Sequence, residues 1–123
     1  MKQVVIGHYC LGCYSVEVVL REDWGAEYYT QPANDKPPRI KIGAAGAWDS
    51  IVTRLLHEAM ELSLDSHKLR YRRTQDLGGG TDSVEFFMNH PQFSMVCSDV
   101  GVFLSEVLPA LAKEWNKKKW RSP

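Results

Sequence analysis

The longest periodic segment in the first two-thirds of the chain runs from Trp48 to Tyr71 and predicts an amphipathic helix over residues 48 to about 68. At about 100° per residue its apolar side chains fall on one broad arc: Trp48, Ile51, Val52, Leu55, Leu56, Ala59 and Leu62. Its polar side chains fall on the opposite arc: Ser50, Arg54, His57, Glu58, Glu61, Asp65 and Lys68. We therefore expect the first arc to face a core and the second to face solvent.

A second helical pattern covers residues 92–117 and repeats apolar side chains at helical spacing from Phe93 to Trp115. His90 and Pro91 precede it and indicate a helix start, because proline is favoured at the first helical position. Pro109 lies inside the pattern. Since proline lacks a backbone donor, it predicts a kink or a break there.

Runs of β-branched and aromatic residues predict four strands, near residues 3–9, 14–20, 39–43 and 83–89. The first two form a hairpin through Leu11 and Gly12, and residues 26–30 add a short edge strand. The proline-rich segment 31–38 and the glycine-rich segment 74–82 are expected to be loops. This order predicts an α+β fold, with a small, mostly antiparallel sheet and two long helices packed on it.

Composition indicates that residues 1–123 form a single domain with an ordinary soluble character, since 44% of the residues are hydrophobic and 24% charged. Fifteen basic and fifteen acidic residues give a net charge of zero, which provides no overall attraction to nucleic acid or anionic membranes. No apolar run approaches the length of a membrane span. Three cysteines without framework spacing favour reduced thiols in a cytoplasm.

The residues that could carry chemistry cluster on the first helix in the order H-E-A-M-E. His57 and Glu61 lie one turn apart on the same face, so both can reach one metal ion. Glu58 lies about 100° further round, where it can act as the general base for a metal-bound water. Catalytic zinc usually has three protein ligands, and we expect His90 as the third, with His67 as second choice. The alternative is a solvated helix face that binds nothing.

The segment RIKIG followed by WDSIVTRLLHEAMEL resembles the strand-then-helix core of minimal zincin-like metalloproteins. That resemblance implies a zinc-binding protein with a catalytic Glu58 and metal-dependent hydrolysis of an unknown substrate. The second helical histidine of that family is Glu61 here, which shifts the preference toward harder ions and argues against proteolysis. The longer span from LLHEAMELSL to ALAKEW is also similar to small uncharacterised bacteriophage and prophage proteins, which implies little about activity.

A second group, His8, Cys10 and Cys13, contains the C-x-x-C spacing of a zinc knuckle or a redox pair. No second C-x-x-C supplies the remaining zinc ligands. The pair lies between two predicted strands rather than at a helix start, where a thiol pKa would be lowered. Incidental hairpin cysteines are therefore the favoured interpretation.

The C-terminal segment KEWNKKKWRSP interleaves Lys117–Lys119 and Arg121 with Trp115 and Trp120. Such a cluster can bind nucleic acid, because tryptophan stacks on bases. The zero net charge and the lack of a second basic stretch argue against it. Lysines that complement the dipole at a helix C-terminus are the favoured interpretation.

Two functions follow from the sequence, and it leaves open whether the protein is an enzyme. The first is a small zincin-like metal-binding protein in which His57, Glu61 and His90 hold zinc. The second is a non-catalytic phage protein that binds a host or phage protein, for example as a host-defence inhibitor, in the host cytoplasm. It would use aromatic residues in predicted surface segments: Trp24, Tyr28, Tyr29 and Trp120.

Overall fold

The computed structural model describes residues 2–30, 37–72 and 84–120. Their elements follow the order β1 (Gln3–Leu11), β2 (Tyr14–Arg21), β3 (Ala26–Tyr29), β4 (Arg39–Gly43), α1 (Trp48–Ser66), β5 (Arg70–Arg72), β6 (Val84–Phe86), α2 (His90–Trp115) and a 3-10 turn (Lys118–Trp120). The predicted α+β class is confirmed. Both long helices begin within two residues of their predicted positions.

The main sheet has four strands in the order β1-β2-β4-β3, and it is mixed: two of its strand pairs are antiparallel, as predicted, and one is parallel. β1 and β2 form the expected antiparallel hairpin, with Gly12 and Cys13 between them. β4 pairs in parallel with β2 and antiparallel with β3. Because β4 inserts between β2 and β3, the short strand β3 becomes the edge that its sequence predicts.

The strand predicted at 83–89 does not join this sheet. Its residues 84–86 form β6, which pairs antiparallel with β5 in a separate two-stranded sheet. β5 lies just beyond the predicted end of the first helix, where no strand was predicted. Lys68 adopts a positive φ of 58° there, and the Leu69 amide donates to the carbonyl of Leu64. This left-handed residue ends α1 and turns the chain into β5.

Both helices cover the same face of the sheet: α1 packs on β3 and β4, and α2 packs on β1 and α1. Two aromatic contacts tie the layers together. Tyr9 meets Phe103 edge-on at 6.5 Å between ring centroids, and Trp48 meets Trp115 at 5.4 Å. The largest fully buried side chains are Phe103, Leu11, Leu20, Ile40, Ile42, Ile51, Leu55, Leu62, Leu111, Val16, Val18 and Val96.

Helix α2 begins at the predicted His90–Pro91 position, and a capping box that the sequence analysis did not predict closes its first turn. The Asn89 side chain accepts from the Gln92 amide at 3.0 Å, the Gln92 side chain accepts from the Asn89 amide at 2.9 Å, and Pro91 lies in the first turn. The helix continues through Pro109 without the expected break, and Pro109 lies on its exposed side. Among the described residues α2 is long and apolar enough to cross a membrane by length and composition alone, a test that core helices of soluble proteins also pass.

A matched pair of glycines tests this packing. A Cβ at Gly43 would lie 2.2 Å from the backbone oxygen of Asp23, whereas a Cβ at Gly101 in α2 would meet nothing within 4 Å. We expect Gly43→Ala to lower the free energy of unfolding by about 2–3 kcal/mol through overpacking. We expect Gly101→Ala to raise it by up to about 1 kcal/mol through helix propensity. Urea unfolding measures both, and equal effects of the two substitutions would contradict the placement of β4.

Candidate metal centre

One group of side chains in the described residues brings three potential metal ligands together. His57, Glu58 and Glu61 each offer a ligand atom, and these atoms all lie within 4.8 Å of one another. His57 Nε2 lies 3.5 Å from Glu61 Oε1. Two donors to one ion at about 2.1 Å each are at most about 4.2 Å apart, so small side-chain rotations would close this group around an ion.

Glu58 is buried, contrary to its predicted place on the solvent-facing arc. It is 7% exposed, while Leu56, which the periodicity assigned to the apolar arc, is 41% exposed. The buried arc remains centred on Leu55, but it extends to the side of Glu58 because α1 packs against β3 there. The sequence periodicity predicted the centre of the buried arc correctly, but the predictions for Leu56 and Glu58 at its two borders were wrong.

The environment of Glu58 disfavours its charged form. Burial raises the pKa of Glu58 above its usual value, and the neighbouring Glu61 carboxylate raises it further. Glu27 on β3 acts in the same direction, whereas His57 lowers the pKa. Three carboxylates thus lie near one another on the side of α1 that meets β3.

His90 does not join this group. The helices run antiparallel, because Trp48 contacts Trp115 near one end while His67 contacts Asp99 near the other. His57 lies ten residues before His67 on α1, and His90 lies nine residues before Asp99 on α2. Because the helices are antiparallel, these two stretches run in opposite directions from the contact between His67 and Asp99. At about 1.5 Å per residue, His57 and His90 are on the order of 25–30 Å apart along the helices.

The second choice, His67, is also elsewhere. It follows the last residue of α1, and its Nε2 lies 2.7 Å from Asp99 Oδ2, which also accepts a hydrogen bond from Ser63 Oγ at 3.3 Å. This contact joins the end of α1 to α2. Glu58, which the sequence assigned to the role of general base, is the third potential ligand in the group.

The hairpin thiols do not converge with His8. Cys10 and Cys13 are exposed and unpaired, and His8 Nε2 lies 3.4 Å from Glu17 Oε2 on β2. Gly12 has a φ of 62°, which suits the tight turn between the strands. In the described part of the chain, no group of three potential ligands includes these cysteines.

The C-terminal lysines are held by a residue that the sequence analysis missed. Glu114 is 9% exposed, and its carboxylate accepts from Lys117 Nζ at 3.0 Å and from Trp120 Nε1 at 2.9 Å. Lys119 Nζ lies 3.2 Å from the same carboxylate. The sequence contained one signal for this contact, because Glu114 lies three to six residues before Lys117, Lys119 and Trp120.

Trp120 is correspondingly not a free stacking surface. It packs against the core, and the ammonium groups of Lys2 and Lys119 each lie 5.4 Å from its ring centroid. Trp115 donates from its indole nitrogen to the Ala44 carbonyl at 3.0 Å. Arg121, also part of the predicted basic cluster, lies outside the described residues.

Comparison with known proteins finds no relative. No protein-family model, no curated protein and no solved structure matches the chain. The resemblances to zincin-like metalloproteins and to phage proteins therefore stay predictions, and the geometry of the side chains carries the functional argument.

The pKa of Glu114 gives a test of the C-terminal cluster. Burial would raise this pKa, but hydrogen bonds from Trp120, Lys117 and Lys119 outweigh burial and lower it from 4.5 to about 2. The stabilisation is therefore fully present above pH 4.5 and is lost as the pH falls toward 2. We expect Glu114→Gln to lower the free energy of unfolding by about 1–3 kcal/mol at pH 7 and to flatten its dependence between these pH values.

The exposed Glu106 on the same helix provides the control, since its side chain has no hydrogen bond or ion pair within the described part of the chain. Glu106→Gln should leave the acid limb of the stability curve unchanged. Thermal unfolding between pH 2 and pH 7 measures all three proteins. A Glu114→Gln protein with the wild-type acid limb would show that this carboxylate does not hold the C-terminal turn.

Proposed function

We propose that this protein binds one divalent cation through His57, Glu58 and Glu61, with zinc as the ion of first choice. The observation that carries the proposal is the convergence of one imidazole and two carboxylates on one side of α1. Zinc accepts both nitrogen and carboxylate oxygen donors. Because two of the three donors are carboxylates, manganese is the competing ion.

The electrostatics of Glu58 support a cation at this position. A buried carboxylate beside a second carboxylate is costly in its charged form, and a divalent ion would offset both burial and repulsion. His57 stands on the open side of the group, with 62% of its side chain exposed. An ion can therefore enter from solvent without any movement of the core.

Hydrolysis is the reaction that such a metal centre would catalyse. Three protein ligands leave a position for water, and an ion that holds this water lowers its pKa and polarises the bond under attack. With Glu58 proposed as a ligand, its predicted role as general base is given up. The substrate would approach the exposed side of α1, next to His57.

Substitution of each ligand tests the proposal. We expect His57→Ala and Glu61→Ala to raise the dissociation constant for zinc at least tenfold, because each removes one of three donors. His8→Ala is the matched control, since His8 is half-exposed and pairs with a glutamate on β2. Isothermal titration of the metal-free protein measures the affinities. An unchanged affinity in His57→Ala would exclude this site.

A second prediction follows from the pKa of Glu58. A raised pKa in the folded state means that ionised Glu58 lowers stability progressively as the pH rises above 4.5. We expect Glu58→Gln to raise the melting temperature of the metal-free protein at pH 7 and to reduce the further rise that zinc produces. Differential scanning calorimetry with and without zinc measures both effects. A wild-type rise with zinc in Glu58→Gln would contradict its role as a ligand.

Protein binding is the second candidate function, and exposed apolar residues favour it. Trp24 is 71% exposed, and Phe86, Phe87, Phe93 and Met95 between β6 and the first turns of α2 are 38–57% exposed. Of the other aromatic residues predicted for this role, Tyr29 is 39% exposed, while Tyr28 and Trp120 pack against the core. A metal-free purified protein that keeps its fold would favour this candidate over cation binding.

A further inference from the structure

The two edges of the main sheet differ in a way that bears on binding. β3 has four residues, and its Glu27 is tied to Arg21 on β2 at 2.6 Å. β1 has nine residues, QVVIGHYCL, without any aspartate, glutamate, lysine or arginine. Sheet edges are commonly protected by shortness or by charge, and β1 has neither form of protection. Its one irregularity is the bulge between Val5 and Gly7.

Helix α2 runs antiparallel along β1 and forms one wall beside this edge. Asp99 lies against Gly12 at the end of β1, Phe103 meets Tyr9, and the Lys119 carbonyl accepts from Lys2 Nζ at 2.5 Å. These contacts span the whole strand, about 30 Å at 3.3 Å per residue. Among the described residues no further strand pairs with β1.

A pocket of about 250 Å³ opens between this strand and the helix, at the bulge. Its lining consists of Val5, Ile6, Ala110, Lys113, Glu114 and Lys117. The wall on β1 is apolar and the rim on α2 is cationic. Glu114 contributes little negative charge, because Lys117, Lys119 and Trp120 engage its carboxylate. Lys113 has no ion-pair partner within the described ranges.

The same stripe of α2 extends the surface beyond the pocket. Val102 and Glu106 precede Ala110 by eight and four residues, so they lie on the same side of the helix as the pocket lining. Val102 is 52% exposed, as is Val5 on β1. The edge strand β1, which has no charged side chain, thus lies beside a groove with Val5 and Val102 along it, the acidic Glu106 on the stripe of α2, and lysines at one end.

We propose that this groove binds an extended peptide segment of a partner protein, which pairs with β1 as an additional strand. Strand addition supplies main-chain hydrogen bonds, and a pocket beside the edge supplies specificity for one side chain. The pocket takes an apolar side chain of the peptide, and an adjacent acidic side chain faces Lys113. This surface is separate from the cation site on α1 and does not depend on it.

The experiment starts from a displayed library of random linear heptapeptides, selected on the immobilised 123-residue protein. We expect enriched sequences to alternate apolar with other residues and to carry an aspartate or glutamate beside one apolar position. The best fluorescein-labelled peptide is then titrated by fluorescence anisotropy. Lys113→Glu should weaken its binding about five- to tenfold at low salt, while Lys68→Glu on the opposite end of the fold should not.

Two further measurements separate strand addition from nonspecific attraction. Two series of peptides carry N-methyl groups at odd or at even positions, so each series lacks the N–H donors along one edge of the strand. The series that lacks the donors facing β1 should bind at least tenfold more weakly. Ala110→Leu should fill the pocket and weaken binding while circular dichroism shows an unchanged fold. These changes remove main-chain pairing and pocket occupancy independently of charge.

Three results of these experiments would contradict the proposal. Selection without enrichment, equal binding by wild type and Lys113→Glu, or retained binding by both N-methylated series would overturn the proposal. A second copy of the chain is the alternative occupant of the edge. Sedimentation that shows a concentration-dependent dimer, which Ala110→Leu or Lys113→Glu disrupts, would assign the groove to self-association and reject the peptide.

Discussion

The packing of α1 on β3 and β4 determines the character of the candidate cation site. Leu55 at the centre of the buried arc fixes the rotation of the helix, since it is fully buried against the sheet. That rotation carries Glu58 into the contact with β3 and leaves His57 in solvent. The three donors therefore form a site with one buried side and one open side.

Burial of a carboxylate without a compensating cation is a cost that a folded protein rarely carries without a reason. Glu114 provides the contrast within the same chain. Both glutamates are less than a tenth exposed, but Glu114 receives hydrogen bonds from two lysines and a tryptophan, and its pKa falls. Burial raises the pKa of Glu58, and the neighbouring carboxylates raise it further against the opposing effect of His57. A divalent ion at Glu58 would have the same compensating role that the lysines have at Glu114.

The sequence predicted the helices, the hairpin and the central position of Leu55, because these depend on local periodicity. It could not predict that β4 would insert beside β2 in parallel, since alternation carries no information on strand direction. The end of α1 at Ser66 lies within two residues of its predicted position, but strand β5 was not predicted, because a lysine with positive φ has no strong sequence signal for a turn. His90 was chosen as a ligand from its place in the chain, and the antiparallel packing of α1 and α2 separates it from His57.

X-ray absorption spectroscopy at the zinc edge, on protein loaded with one equivalent of zinc, tests the proposed site most directly. A centre formed by His57, Glu58 and Glu61 gives one imidazole and otherwise oxygen donors, at about 2.0–2.2 Å. A sulfur shell at about 2.3 Å would place the ion at Cys10 and Cys13 instead. Two or more imidazoles would require a histidine that the fold keeps away from His57, and would contradict the assignment equally.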